Sequence, residues 1–252
     1  MDLGLQNKIA LVTGSSQGIG LAIANSLHDE GVNLILNGRD QAKLKAAAKK
    51  IGDKVKYVAA DVTDPQQCQK LINHIKTKWK KVDILVCNVG DGTSVKPGDE
   101  TIEEWQRMMQ INLMSTTNMI EAAKNLLVAS KGSIVCVSSI CGHEVIPGAP
   151  ITYSALKAAL NVYVKGVARP LGEKGVRINA VSPGNILFKG SVWERKLSEN
   201  EMGVKEMLSK EVSLKRLGKA EEIADFVTFL VSPKAAFATG SVYVIDGGQV
   251  KS

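Results

Sequence analysis

Short, β-branched apolar runs alternate with longer stretches of helical periodicity along almost the whole chain, and few folds accommodate that alternation. Lys8–Thr13, Asn33–Leu36, Lys54–Ala59, Val82–Cys87, Ser133–Val137, Arg177–Val181 and Val242–Ile245 read as strands. Between them, 18–30, 40–51, 65–79, 101–130, 152–173 and 220–231 carry helical patterns. Several strand runs are apolar at consecutive positions, as strands buried on both faces should be. Parallel strands need crossover connections, so this order calls for a parallel sheet with helices on both faces. No linker, repeat or low-complexity stretch interrupts it, and 252 residues are expected to form one α/β domain over 1–252.

Composition narrows the function classes. With 44% hydrophobic and 23% charged residues, the chain reads as soluble and globular rather than disordered. No uninterrupted apolar run approaches the roughly 18 residues of a membrane span. The N-terminus lacks a charged region followed by an apolar stretch, so no signal peptide is expected and the cytoplasm is the expected location. Thirty-two Lys and Arg against 25 Asp and Glu leave +7, which favours anionic ligands. The cations stand in pairs such as Lys49-Lys50 and Lys80-Lys81 with acids nearby, so they read as solvated helix faces rather than a nucleic-acid patch. Cys68, Cys87, Cys136 and Cys141 form no Cys-x-x-Cys pair, and three histidines make no convincing cluster, so no metal is expected.

Three segments carry chemistry. Thr13-Gly14-Ser15-Ser16-Gln17-Gly18-Ile19-Gly20 follows the first strand and opens a helix, where glycines let the backbone approach a pyrophosphate at the positive helix end. Taken alone, such a turn also serves as a tight strand–helix connection. About 20 residues on, where an acid usually holds the ribose hydroxyls of NAD, the chain reads Asn37-Gly38-Arg39. Arg39 either grips an additional phosphate through a charge-assisted hydrogen bond or sits in solvent. Gln17 adds no second charge, and on balance NADP(H) is favoured over NAD(H). Tyr153-Ser154-Ala155-Leu156-Lys157 places a phenol and an ammonium one helical turn apart, which would lower the phenol's pKa and suit it to proton exchange. The same spacing also occurs on ordinary amphipathic helices. Ser138-Ser139 ends the fifth strand, pointing a hydroxyl toward the crevice where open α/β sheets bind ligands or else merely capping a turn.

Taken together and in order, these motifs resemble the short-chain dehydrogenase/reductase family in its compact branch, from residue 7 to Gly248. Thr13-Gly14-x3-Gly18-Ile19-Gly20 is similar to the family's cofactor loop, and Asp61-Val62 to the element against the adenine. Cys87-Asn88-Val89-Gly90 resembles the Asn-Asn-Ala-Gly segment. Asn179 to Gly184 and Asp246-Gly247-Gly248 resemble later signatures. The resemblance implies a Rossmann-type, doubly wound, seven-stranded parallel sheet and hydride transfer to or from a nicotinamide. It implies a tetrad in which Tyr153 is the general acid/base, Ser139 orients the substrate oxygen, Lys157 holds the nicotinamide ribose and lowers the tyrosine pKa, and Asn112 helps hold a water leading from Lys157 to solvent. Cofactor contacts implied in the same way are Gly14, Ser16, Gln17, Gly18, Ile19, Gly20, Arg39, Asp61, Val62, Asn88, Val89, Gly90, Tyr153, Lys157, Pro183, Gly184 and Ile186.

Departures from the pattern accompany the match. Ser139 and Tyr153 stand one residue further apart than is commonest in the family, so the loop Gly142 to Ile151 is expected to bulge. Phe188 replaces a threonine that often helps hold the nicotinamide carboxamide, leaving that contact open or passing it to the Ile186 backbone. Cys87 and Val89 are expected to alter packing rather than chemistry.

Residues 188–212 read either as a substrate lid or as a surface helix pair packing its own apolar stripe. Lys189, Arg195 and Lys196 on it either favour an anionic substrate or are solvated, and His143 either lines the pocket or has no role there. The family implies a homodimer or homotetramer through helices 101–130 and 152–173, with Ala236–Ser252 as a second contact. The leading functional expectation is an NADP(H)-dependent carbonyl/alcohol oxidoreductase on a small molecule, a 3-oxoacyl thioester reductase or a sugar or sugar-nucleotide dehydrogenase. A catalytically silent nucleotide sensor is the contrasting class. A sugar-nucleotide epimerase or dehydratase fits poorly, because its glycine spacing differs and its larger C-terminal domain has no room here.

Overall fold

In the computed structural model, which describes residues 1–251, β1 (Ile9–Val12) is buried at every position in the interior of a sheet. Ser252, the end of the expected C-terminal contact stretch, lies outside the described residues. After β1 come α1 (Gly18–Asp29), β2 (Asn33–Gly38), α2 (Gln41–Ile51), β3 (Lys56–Ala59), α3 (Pro65–Trp79) and β4 (Ile84–Cys87). Next, α4 (Ile102–Met109) runs through a π-helical stretch, Gln110–Met114, into α5 (Ser115–Ser130). The chain continues as β5 (Ser133–Val137), a 3-10 turn (Ile140–Gly142), α6 (Ile151–Gly172) and β6 (Arg177–Pro183). Last come β7 (Ile186–Leu187), α7 (Val192–Glu199), α8 (Glu201–Glu211), β8 (Gly218–Lys219), α9 (Ala220–Val231) and β9 (Val242–Ile245).

Seven strands pair in parallel in the order β3-β2-β1-β4-β5-β6-β9. Successive side chains on a strand point to opposite faces, so each strand feeds two cores. Ala10, Val12, Leu34, Leu36, Ile84 and Val86 pack with Ile23 and Leu27 of α1 and Val227 and Leu230 of α9. Ile9, Leu11, Ile35, Leu85 and Cys87 pack with Leu71 and Ile75 of α3, Met119 and Leu127 of α5, and Leu160 and Val164 of α6. The sheet is therefore doubly wound, the Rossmann-type seven-stranded parallel sheet that the family resemblance implies. Strand order reverses between β1 and β4, and the crevice beyond the carboxyl ends at such a reversal is where these folds bind ligands.

Several boundaries move. β1 and β3 begin later than expected because the preceding residues bend into turns, Lys8 N donating to the Leu5 carbonyl and Val55 N to that of Gly52. β2 and β6 run two residues further. The expected single helix 101–130 is instead wound wider in the middle, where Asn112 Nδ2 donates to the Met108 carbonyl one turn back and so competes with the ladder. The short parallel pair β7–β8 was not foreseen, since two residues per strand carry no periodicity. Val204, Leu208 and Val212 form a third, small cluster with Trp193, Leu197, Met207 and Leu217. The 188–212 segment is thus a helix pair with its own apolar stripe. No helix among the described residues is long and apolar enough to cross a membrane.

Candidate active site

The glycine loop leaves β1 and is pinned from β4. Asn88 N donates to Thr13 Oγ1 at 3.0 Å, and Asn88 Nδ2 donates to the carbonyls of Thr13 and Gly14 at 3.2 and 3.1 Å. Gly20 makes this closeness possible, because a Cβ there would lie 2.5 Å from both Asn88 Nδ2 and the Gly14 oxygen. Gly14 and Gly18 hold φ of +61° and +59°, a region that side chains strain to adopt. Ser15 Oγ ties the loop to β2 by donating to the Val12 carbonyl and accepting from Asn37 N. Gln17 precedes α1 and places no side-chain acceptor on its first amides.

The remaining expected cofactor residues line the same carboxyl edge. Arg39 is exposed just past β2, and the neighbouring Asp40 carboxylate is occupied by the Ala42 and Lys43 amides. Asp61 closes a turn by accepting from Thr63 N and Oγ1, while Val62 is buried with its carbonyl accepting from Asn118. Pro183 ends β6, and Gly184 passes so near Asp246 that a Cβ would lie 2.8 Å from its Cα. Ile186 is buried in β7. These residues suit a dinucleotide: a start of α1 with no side-chain cap, glycines that let the loop pack tightly ahead of it, and a cation beside β2. Phe188 is the departure. Its ring lies on Gly18, 2.7 Å from where a Cβ would be, and presents no hydroxyl.

At the other end of the crevice, Tyr153 and Lys157 share one face of α6 and Ser139 meets them from the end of β5. Burial pushes the Tyr153 phenol up to about 12, opposed by a hydrogen bond with Ser139. Burial pushes Lys157 down to about 8. Its ammonium donates to the Val137 carbonyl at 2.9 Å and stands 5.7 Å from the Tyr153 ring centre. The expectation that Lys157 lowers the phenol's pKa is therefore corrected for the free protein. Both groups are desolvated and the amine is directed at a carbonyl, so the phenol's own burial sets the direction of its shift. Gly90 makes room for the amine, since a Cβ there would lie 3.0 Å from Lys157 Nζ and 3.2 Å from Asn112 Oδ1.

Asn112 is fully buried and grips the backbone of one residue from both sides. Its Oδ1 accepts from Asp91 N at 3.0 Å and its Nδ2 donates to the Asp91 carbonyl at 3.1 Å. Its side chain thus fixes the strand-end segment Asn88-Val89-Gly90 next to Lys157. Between Ser139 and Tyr153 the chain runs through a loop in which Val145 is 80% exposed. Cys87 and Cys136 pair in register on β4 and β5 and are buried, as packing residues. His143 is exposed, with Nε2 3.0 Å from Ser182 Oγ. Arg195 pairs with Glu199 and Lys196 lies over the Trp193 ring, so these two α7 cations have partners on their own helix. The sequence reading named Ser138 only as half of the Ser138-Ser139 pair and did not single out Asn161, a buried amide four residues after Lys157 on the same helix.

With fold and site in place, comparison with known proteins fixes the class. The family profile described as enoyl-(acyl carrier protein) reductase matches residues 14–249. Glucose 1-dehydrogenase 2 of Bacillus subtilis is 32% identical over 97% of this chain and 95% of its own. The 3-oxoacyl-(acyl-carrier-protein) reductase of Haemophilus influenzae is 34% identical over 97% of this chain and 98% of its own. Among solved structures, L-sorbose reductase of Gluconobacter frateurii, complexed with NADPH and L-sorbose, superposes with a TM-score of 0.93 at 31% identity, covering 100% of both chains. The chain belongs to the short-chain dehydrogenase/reductase family and is an oxidoreductase of the CH–OH class.

Proposed function

We propose that the protein is an NADP(H)-dependent oxidoreductase of a small carbonyl/alcohol pair, with Tyr153 as the proton donor and acceptor. What supports this reading most is the hydrogen bond of Tyr153 with Ser139 beside the buried Lys157, on the strand-end side of the sheet that also carries the glycine loop. The loop and the α1 amides would hold the pyrophosphate, Arg39 the additional phosphate of NADP, and Lys157 the nicotinamide ribose. The nicotinamide, when bound, supplies hydride to a carbonyl carbon or takes it from an alcohol. Every other task falls to the chain. Ser139 Oγ holds the substrate oxygen by a hydrogen bond. The Tyr153 phenol delivers a proton to that oxygen in reduction, and in oxidation its phenolate form takes the proton from the alcohol. Asn112 keeps the segment beside Lys157 in place.

A polyhydroxylated ketone is the favoured substrate class, supported by the end-to-end match to a sorbose reductase. A homodimer or homotetramer accompanies the reading, supported by the exposed Val162 on α6 and by Phe237 ahead of β9. The test is reduced-nicotinamide absorbance with a panel of ketoses, oxoacyl thioesters and sugar nucleotides. Turnover on a ketose is the expected result. Tight NADPH binding with no turnover on any member would overturn the reading in favour of a nucleotide sensor.

A further inference from the structure

Ser139 heads the turn after β5 while Tyr153 stands on α6, and the loop joining them is too exposed to set their spacing. Val145 is 80% exposed there, and Gly148 stands at φ +76° with nothing near where a Cβ would be. Something else must hold the serine turn on the helix.

That contact lies one helical turn below Lys157. Tyr153, Lys157 and Asn161 follow at four-residue spacing along one stripe of α6. Asn161 is 5% exposed. Its Oδ1 accepts from Ser138 Oγ at 2.6 Å and its Nδ2 donates to the Gly142 carbonyl at 3.2 Å. Ser138 and Gly142 bracket the turn that begins at Ser139, whose own Oγ accepts from Cys141 N at 3.2 Å. Gly142 lies flat on α6, where a Cβ would fall 2.7 Å from the Lys157 carbonyl carbon. One buried amide thus grips both ends of the serine turn. Burying an amide is costly unless its hydrogen bonds are made, and here both ends of the side chain make them.

We propose that Asn161 is a positioning residue that sets the distance between Ser139 and Tyr153 through this clamp, an inference that rests on reading those two as the reacting pair. A displacement of about 1 Å at a reacting group can lower a rate on the order of a hundredfold. The test is a double-mutant cycle on kcat, with NADPH affinity and KM measured alongside. Asn161→Leu is expected to lower kcat between about ten- and a hundredfold while KM and NADPH affinity stay within about threefold. In a Ser139→Ala background the same substitution is expected to change kcat less than about twofold, because its effect passes through Ser139. Should Asn161→Leu fail to fold, Ser138→Ala, which removes one end of the clamp, is expected to show a smaller loss in the same pattern. An equal loss in both backgrounds, or wild-type kcat in the Asn161→Leu protein while Ser139→Ala is impaired, would overturn the inference alone. Wild-type kcat in Ser139→Ala itself would overturn the site reading and the inference with it.

Discussion

At the α1 end of the cleft the protein presents backbone, and at the α6 end it presents side chains. The helix starts sharpen the contrast. α2 and α3 begin at Asp40 and Asp64, each carboxylate accepting from two amides of its own helix. α1 begins at Gln17 with no such acceptor. Capping is worth about 1 kcal/mol, so leaving it out forgoes stability and keeps amides free for an anion. At the α6 end the reverse holds. Lys157 and Asn112 have partners inside the protein, and their geometry is fixed before anything binds. One end is thus open and shaped by the absence of Cβ atoms, while the other is preorganised by hydrogen bonds.

If the contrast is right, the two ends fail differently. Gly20→Ala drives a methyl against Asn88 and the Gly14 carbonyl, and it is expected to cost about 1–3 kcal/mol of stability and weaken NADPH binding by more than tenfold. Denaturant unfolding and calorimetric titration would show it, and unaltered binding would break the backbone half of the comparison. Arg39→Asp is expected to weaken NADPH roughly tenfold or more while sparing NADH, from the loss of a charge-assisted hydrogen bond of about 1.5–3 kcal/mol. An unchanged ratio of the two affinities would remove Arg39 from the phosphate site.

Gln17→Asp gives α1 the cap that α2 and α3 already have. It is expected to stabilise the protein by about 1 kcal/mol and to weaken NADPH binding several-fold, since the carboxylate competes for the same amides. A gain in both stability and affinity would contradict the idea that these amides are kept open. The smallest effect concerns pH. Burial holds Lys157 near about 8 against an ordinary 10.5, so between those values the unfolded chain binds more protons and stability rises with pH. Tyr153, pushed up from 10.0 to about 12, reverses the sign above pH 10. Urea midpoints at pH 7.5 and 9.5 are expected to rise for the wild type and to flatten for Lys157→Met.

The same contrast explains what could be read from the sequence. Glycines at fixed offsets and a tyrosine four residues before a lysine are local patterns that pointed to two candidate ends of the site, and the alternation of strand and helix patterns pointed to the sheet between them. The direction of the Tyr153 pKa was not legible, because it depends on how deeply the phenol is buried, and the Lys157 ammonium is directed at the Val137 carbonyl. The π-helical stretch at Asn112 was not legible either, since it accompanies bonds of the Asn112 side chain both to the Met108 carbonyl one turn back and to Asp91 across the fold. Phe188 was visible as a substitution, but its place on Gly18 emerged only from the packing of the 188–212 segment.

The most direct measurement pairs NADPH affinity with ketose turnover in the wild type and in Tyr153→Phe. The account expects the variant to bind NADPH within a few-fold of the wild type while kcat falls by at least about a thousandfold. Turnover preserved without the phenolic hydroxyl would contradict it.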